Sequence, residues 1–348
     1  MDPMLQASSL PSTVRPRTLS NWLFVVAALI VAIVVIGGIT RLTESGLSIT
    51  QWKPLSGMIP PLTDAQWQAE FANYRTIPQY EAFNQGMTLA GFKAIFFWEY
   101  LHRMLGRVIG LAFLVPLVWF AVRRRLPRGY LVRLSALFML IALQGTFGWL
   151  MVRSGLSGRT EVAPGWLATH LLTALFTLAG MVWTALDLRA LADKRLARPA
   201  RLRFVPAIAI ALLFAQILFG ALTAGLRAGY AFASWPLMGD AVFPMATPFT
   251  DPLWRNLFDN PIVVQFVHRW LAFAVAFGVM MLAARARRAG APRTGLVLIG
   301  LVCAQILLGI TTLLSGVEIG VAVAHQANAA LLVIAAAAAA HAVGRRSI

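Results

Sequence analysis

Glu99, His102 and Arg103 stand in the run Trp98-Glu99-Tyr100-Leu101-His102-Arg103, inside a long apolar segment. Titratable and charged side chains at such depth are costly and mark functional sites. Glu99 and His102 are three apart, so on a helix they share one face. A carboxylate there can take a proton, an imidazole can ligate a metal or relay a proton, and a guanidinium can pair with an anion. A second version follows as Gln265-Phe266-Val267-His268-Arg269. His170 and His325 lie in two further apolar segments.

These residues fall into a repeat. Eight apolar segments, near 22–39, 93–121, 134–152, 166–187, 204–224, 262–284, 294–314 and 321–343, are long enough to span, a helix needing about 20 residues. His102-Arg103 in segment 2 returns as His268-Arg269 in segment 6. Gln144 and Gly148 in segment 3 return as Gln305 and Gly309 in segment 7, and His170 in segment 4 returns as His325 in segment 8. Trp52-Lys53-Pro54 after segment 1 matches Trp235-Pro236-Leu237 after segment 5. Four segments per copy is an even number, so both copies enter the membrane the same way round. The expected fold is an all-α polytopic membrane protein of eight transmembrane helices, arranged as two pseudo-symmetric four-helix bundles.

Composition agrees. Of 348 residues, 59% are hydrophobic and 12% charged, with mean hydropathy +0.73; a soluble chain carries about twice that charge. The net charge of +17 suggests nucleic acid only until the cations are placed. Nineteen of the 30 Lys and Arg fall in the N-terminus, the 2–3, 4–5 and 6–7 connections and the C-terminus, against eight in the other connections. The excess side is cytoplasmic by the positive-inside rule. Both termini are then cytoplasmic, and the charge serves topology, with no nucleic-acid partner. Segment 1 lacks a clear small-x-small cleavage site and reads as a retained span.

The domain boundaries expected are 1–20, a disordered cytoplasmic N-terminus, and 21–190, an N-terminal bundle with a large outer loop at 40–92. A basic cytoplasmic linker at 191–203 leads to a C-terminal bundle at 204–344. In the loop, Trp67, Phe71 and Tyr74 recur at helical spacing. That predicts a short amphipathic helix, lying on the bilayer surface or on the protein's own outer face. Gly106 and Gly110 predict a close helix contact. Gln144 and Gln305 read as interhelical hydrogen-bonding groups, His341 as an interface residue, and Cys303, the only cysteine, as a small packing residue.

Four histidines in the outer part of four helices, paired by a repeat, point to metal ligation. No thiolates or carboxylate cluster accompany them, and two imidazoles facing each other across a bundle suit the axial positions of a haem. Arg103 and Arg269 would neutralise propionates, or Arg103 would pair with Glu99. Glu99 is matched by Gln265 in the second copy. Glutamine cannot take up and return a proton at neutral pH, so only the first site has a candidate base.

The runs Gly38-Ile39-Thr40-Arg41-Leu42-Thr43-Glu44-Ser45-Gly46-Leu47-Ser48, Trp52-Lys53-Pro54, Pro60-Pro61 and Phe97-Trp98-Glu99-Tyr100-Leu101-His102-Arg103, with His170, His268-Arg269 and His325, resemble the haem A synthase family. Without a cysteine pair in the outer loops, the chain resembles the cysteine-poor branch of proteobacteria and mitochondria. The resemblance implies oxidation of a ring methyl of haem O to a formyl group, giving haem A for terminal oxidases. It implies substrate haem in the N-terminal bundle, the bundle of His102, His170, Arg103 and the candidate catalytic base Glu99. It also implies haem b iron as cofactor in the C-terminal bundle (His268, His325, Arg269). The implied setting is a bacterial inner membrane. Haem O synthase, oxidase assembly factors, an unidentified electron donor and a second copy of the chain are the partners it leaves open. The alternatives are a di-haem b-type electron-transfer protein and, more weakly, a transporter.

Overall fold

The computed structural model describes residues 14–53, 56–193 and 198–345. Eight long apolar helices carry the fold: α1 (Pro16–Leu42), α4 (Leu89–Val122), α5 (Tyr130–Leu156), α6 (Pro164–Asp193), α7 (Phe204–Gly225), α9 (Pro261–Arg288), α10 (Pro292–Leu314) and α11 (Ile319–Arg345). The shorter α2 (Asp64–Tyr74), α3 (Pro78–Phe83) and α8 (Asn256–Asp259) lie in the two long connections.

The helix starts are written locally. Prolines open α1, α9 and α10, where the missing N–H has no intrahelical partner to lose. Thr88 Oγ1 accepts from Gly91 N to cap α4, and Asn260 Oδ1 accepts from Ile262 N and Val263 N to cap α9. Gly290 takes φ +86° between α9 and α10, a turn that a side chain would strain.

α1, α4, α5 and α6 pack as one bundle and α7, α9, α10 and α11 as the other. Between them α6 lies on α11, α1 on α11, and α6 on α7. Exchanging the halves turns α1–α11 into α7–α6 and returns α6–α11 to itself, so the pseudo-twofold axis runs between α6 and α11. Burial follows: half of the most apolar stretch of α6 and 61% of that of α11 are buried, against 6% for α5 and 11% for α10. An alanine run, Ala335 to Ala340, lets α11 approach its neighbours closely. At the face where α1 begins and α11 ends, buried Asp187 accepts from Arg133 Nη1 at Oδ2 (2.7 Å) and from Ala200 N at Oδ1 (2.9 Å), and His341 Nε2 lies 2.9 Å from the same Oδ1. His341 thus ties α11 to α6 across the bundle interface.

Several expectations shift. α1 begins at Pro16, so residues 16–20 are helix, with Leu19 fully buried; residues 1–13 of the expected disordered N-terminus lie outside the described residues. The loop helix forms as α2, with a Thr63–Gln66 capping box. Its apolar side rests on the protein: Phe71 stacks on Phe92 and Trp67 meets Phe96 edge-on, both at 5.0 Å. Burial pushes the Tyr74 phenol up to about 12, and it donates to Gln79 while accepting from Asn84. A Cβ on Gly106 would meet Ile33 at 3.7 Å, but one on Gly110 would meet nothing within 4 Å, so the close contact stops at Gly106. Cys303 is exposed on α10, because α10 is a peripheral helix and an apolar outer face needs no burial in a bilayer.

Candidate functional site

In the first bundle α4 and α6 bring His102 and His170 face to face, ring centres 6.5 Å apart and planes at 48°. Two imidazoles ligating one metal, with bonds of about 2 Å on each side and ring nitrogens about 1 Å from their ring centres, would have centres roughly 6 Å apart. The spacing therefore fits an iron held axially. In the second bundle His268 on α9 and His325 on α11 occupy the places that His102 and His170 hold in the first. Among the described residues no three or more His, Cys, Asp or Glu gather as an all-protein metal site would require. A pair of histidines leaves the remaining positions to a ligand such as a porphyrin.

Each histidine is seated against a glycine of a neighbouring helix. A Cβ on Gly37, Gly148, Gly220 or Gly309 would come within 2.9–3.0 Å of Cε1 of His102, His170, His268 or His325 respectively. These four cradles leave the rings no room to lean away from the bundle centre. One turn before three of the glycines stands a glutamine. Gln144 Nε2 donates to the His170 carbonyl (2.8 Å) and lies 3.1 Å from its Nδ1. Gln216 Nε2 makes the same pair of contacts to His268, at 2.9 and 3.1 Å. Gln305 Nε2 lies 3.3 Å from both nitrogens of His325, its oxygen accepting from Asn328. Gln144 Oε1, Gln216 Oε1 and His102 Nδ1 are buried without a hydrogen-bond partner. Unpartnered polar atoms beside the paired imidazoles are what a site shaped for a bound group leaves when described alone.

Above each pair an arginine fixes the loop. Arg103 Nη2 donates to Glu99 Oε1 (2.6 Å) and to the Ile49 carbonyl (2.9 Å). Glu99, 3% exposed, also accepts from Ser48 Oγ and Ile49 N, both at 2.7 Å. In the second copy Arg269 Nη2 donates to the Phe232 carbonyl (2.9 Å), Nη1 donates to Ser234 and Leu237, and Gln265 Nε2 donates to Phe232. Ile49 and Phe232 are 183 residues apart, as are Trp52 and Trp235. Arg103 sits 5.9 Å from the Trp52 ring centre and Arg269 5.9 Å from that of Trp235. The duplication thus extends to side-chain contacts, and the guanidinium groups expected at propionates are engaged with Glu99 and loop carbonyls.

At the same face Arg227 pairs with both Glu44 and Glu161, and Arg41 donates to Glu161 (2.8 Å) and to the Ala224 carbonyl (3.2 Å). Partial burial works against the Arg227 charge, but Glu161 and Glu44 outweigh it and raise its pKa above the ordinary guanidinium value.

The chain matches the model of the family described as cytochrome oxidase assembly protein, COX15-CtaA, over residues 20–337. It belongs to this family. Among the proteins it is similar to is a heme A synthase of Sphingopyxis alaskensis, 53% identical over 343 residues, 99% of this chain and 97% of the relative. Another heme A synthase, of Rhizorhabdus wittichii, is 55% identical over 92% of each chain. A third, of Novosphingobium aromaticivorans, is 50% identical over 98% of this chain and 100% of its own length.

The structure brings together His102 with His170 and Glu99 with Arg103. Sequence reasoning passed over Gln216 and the glycine seats Gly37 and Gly220. The signal was present: a glutamine four residues before a glycine occurs in α5, α7 and α10, and each such pair faces a histidine.

Proposed function

We propose that this chain oxidises a ring methyl group of haem O to a formyl group, giving haem A. The substrate lies between His102 and His170 of the N-terminal bundle, and haem b lies between His268 and His325. The observation that carries this is the facing pair of imidazoles, 6.5 Å apart, in a bundle whose ligand helix also holds the buried carboxylate of Glu99. The matching helix of the second bundle has Gln265 instead. The resemblance to heme A synthases along nearly the whole chain supports the same reading.

When bound, haem b supplies one-electron transfer. The residues of the chain do the rest. His102 and His170 fix the ring from its two faces. Turning a methyl into a formyl group releases protons, and Glu99 takes one. Arg103 orients Glu99 and, with Ser48 and Ile49, closes the outer loop over it. Arg269 closes the second loop in the same way. The chain sits in a bacterial inner membrane with both termini cytoplasmic, and haem O synthase, oxidase assembly factors and an electron donor are its expected partners.

Haems extracted from cells that supply haem O, with and without this protein, test the reading by chromatography. Haem A should appear only with it; unmodified haem alone would make the chain an electron carrier. Substituting His268 or His325 by Ala should cost the purified protein its low-spin haem spectrum or its haem. Substituting His102 or His170 should abolish haem A while leaving the C-terminal haem in place.

A further inference from the structure

Three of the four histidines have a glutamine amide against the ring, and the fourth does not. Gln144, Gln216 and Gln305 stand four residues before Gly148, Gly220 and Gly309; four residues before Gly37 stands Ile33. The register is secure, because the 183-residue offset that pairs Ile33 with Gln216 also pairs Gly37 with Gly220 and Ile49 with Phe232. The last two pairs make equivalent contacts. The hydrocarbon leaves a trace: His102 Nδ1 is buried with no partner.

An imidazole that gives its Nε2 lone pair to iron carries its proton on Nδ1, and an acceptor there holds the ring and strengthens the ligand. Gln144 and Gln216 each hold an unpartnered Oε1 in reserve. Drawing the side chain back from the histidine carbonyl and turning the amide brings that oxygen to Nδ1; the bond to the carbonyl is lost, since two acceptor oxygens do not share a contact of 2.8–2.9 Å. Ile33 offers His102 nothing of the kind.

We propose that His102 is the yielding axial ligand of the substrate haem, and that Gln144 and Gln216 are positioning residues that keep His170 and His268 on iron. This rests on the reading above that each histidine pair holds a haem. When His102 yields, the iron–Nε2 bond breaks with its electron pair remaining on the imidazole. One coordination position opens on the His102 face while His170 stays bound. At the cofactor site Gln216 braces His268, and Gln305, its oxygen held by Asn328, stands with its amide nitrogen 3.3 Å from the His325 ring. Neither ring lacks a neighbouring amide as His102 does, so that site stays closed.

Carbon monoxide tests this on the full-length protein, purified with both haems and reduced with dithionite. The wild-type protein should bind one carbon monoxide per two haems. Ile33→Gln should slow that binding about tenfold. Gln216→Leu should open the cofactor haem and raise the stoichiometry to two, and Gln216→Glu, which restores an acceptor, should return it to one. A merely structural glutamine would lower stability in both Gln216 variants without this reversal. Binding at both haems or at neither in the wild type, an unchanged rate in Ile33→Gln, or a closed cofactor haem in Gln216→Leu would overturn the proposal. If Ile33→Gln fails to assemble, the two Gln216 variants decide. Failure of the underlying reading looks different: the wild-type protein would lack two haems by pyridine haemochrome assay, or His102→Ala would keep an unchanged low-spin spectrum.

Discussion

At the scale of the residue, Glu99 is held by three residues, Ser48, Ile49 and Arg103, through four hydrogen bonds, so its role is testable against its surroundings. Glu99→Gln keeps the size of the side chain but removes the anion opposite Arg103. General-base groups contribute about 10²- to 10⁴-fold, so haem A formation should fall by at least about 100-fold. Both haem sites should remain, with haem O or a hydroxylated intermediate accumulating in the extract. Gln265→Ala, which removes one bond to a loop carbonyl, should lower haem A yield far less. Native haem A production in Glu99→Gln would leave the ion pair as the whole role of Glu99. The sequence displayed the difference between Glu99 and Gln265 because spacing on one helix is enough to align them. It did not display Ser48 and Ile49 as partners, since a loop returning some fifty residues earlier in the chain has no periodicity that announces where it lands.

At the scale of the element, the helices position the histidines by what they omit. A Cβ on Gly220 would lie 2.9 Å from His268 Cε1, whereas one on Gly110 would meet open space. Gly220→Ala should therefore displace the His268 ring by a few tenths of an ångström and alter the haem spectrum or lower haem content. Gly110→Ala should leave both unchanged and gain up to about 1 kcal/mol of helix propensity, read as an equal or higher Tm. A matching loss in the Gly110 variant would show that the effect belongs to helix packing in general. All eight spans were legible from apolar length, and α2 from its 3–4 spacing, yet periodicity could not tell a bilayer surface from a protein surface beneath α2. The aromatic partners Phe92 and Phe96, which decide it, lie in the next helix. Cys303 was misplaced for a related reason: an apolar helix in a membrane carries no hydrophobic stripe to show which side faces inward.

At the scale of the whole molecule, burial is concentrated on α6 and α11 and nearly absent from α5 and α10. The two bundles therefore meet along the very helices that carry His170 and His325. Reporter fusions in the 123–129 turn and the 198–203 segment should report the cytoplasm, and fusions in the 40–88 and 226–260 loops the opposite side; the reverse pattern would invert the topology. Arg227 joins the bundles through two carboxylates. Exposed ion pairs are worth about 0–1 kcal/mol each, but one cation shared by two anions is a network. Arg227→Glu, which sets three carboxylates together, should lower Tm measurably, and adding Glu44→Arg should recover part of the loss. Equal Tm in the single and double variants would remove the network from the account of stability. The two-bundle plan could be read from the offsets of the His, Gln and Gly repeats. The contact between bundles could not, because Glu44, Glu161 and Arg227 look like ordinary loop charges until folded.

Glu44 and Arg227 are themselves 183 residues apart; both take a left-handed backbone, at φ 56° and 51°, and they touch. A residue that touches its own repeat mate lies at the pseudo-twofold axis. A dimer of two N-terminal halves would set glutamate against glutamate there, and a dimer of two C-terminal halves arginine against arginine. Only a mixed pair brings opposite charges together. Split at the 194–197 segment and produced as two polypeptides, the halves should find each other and refuse their own kind. The chain thus carries in one residue pair a record of how twin modules became unlike partners, free to divide a labour that identical twins would have had to share.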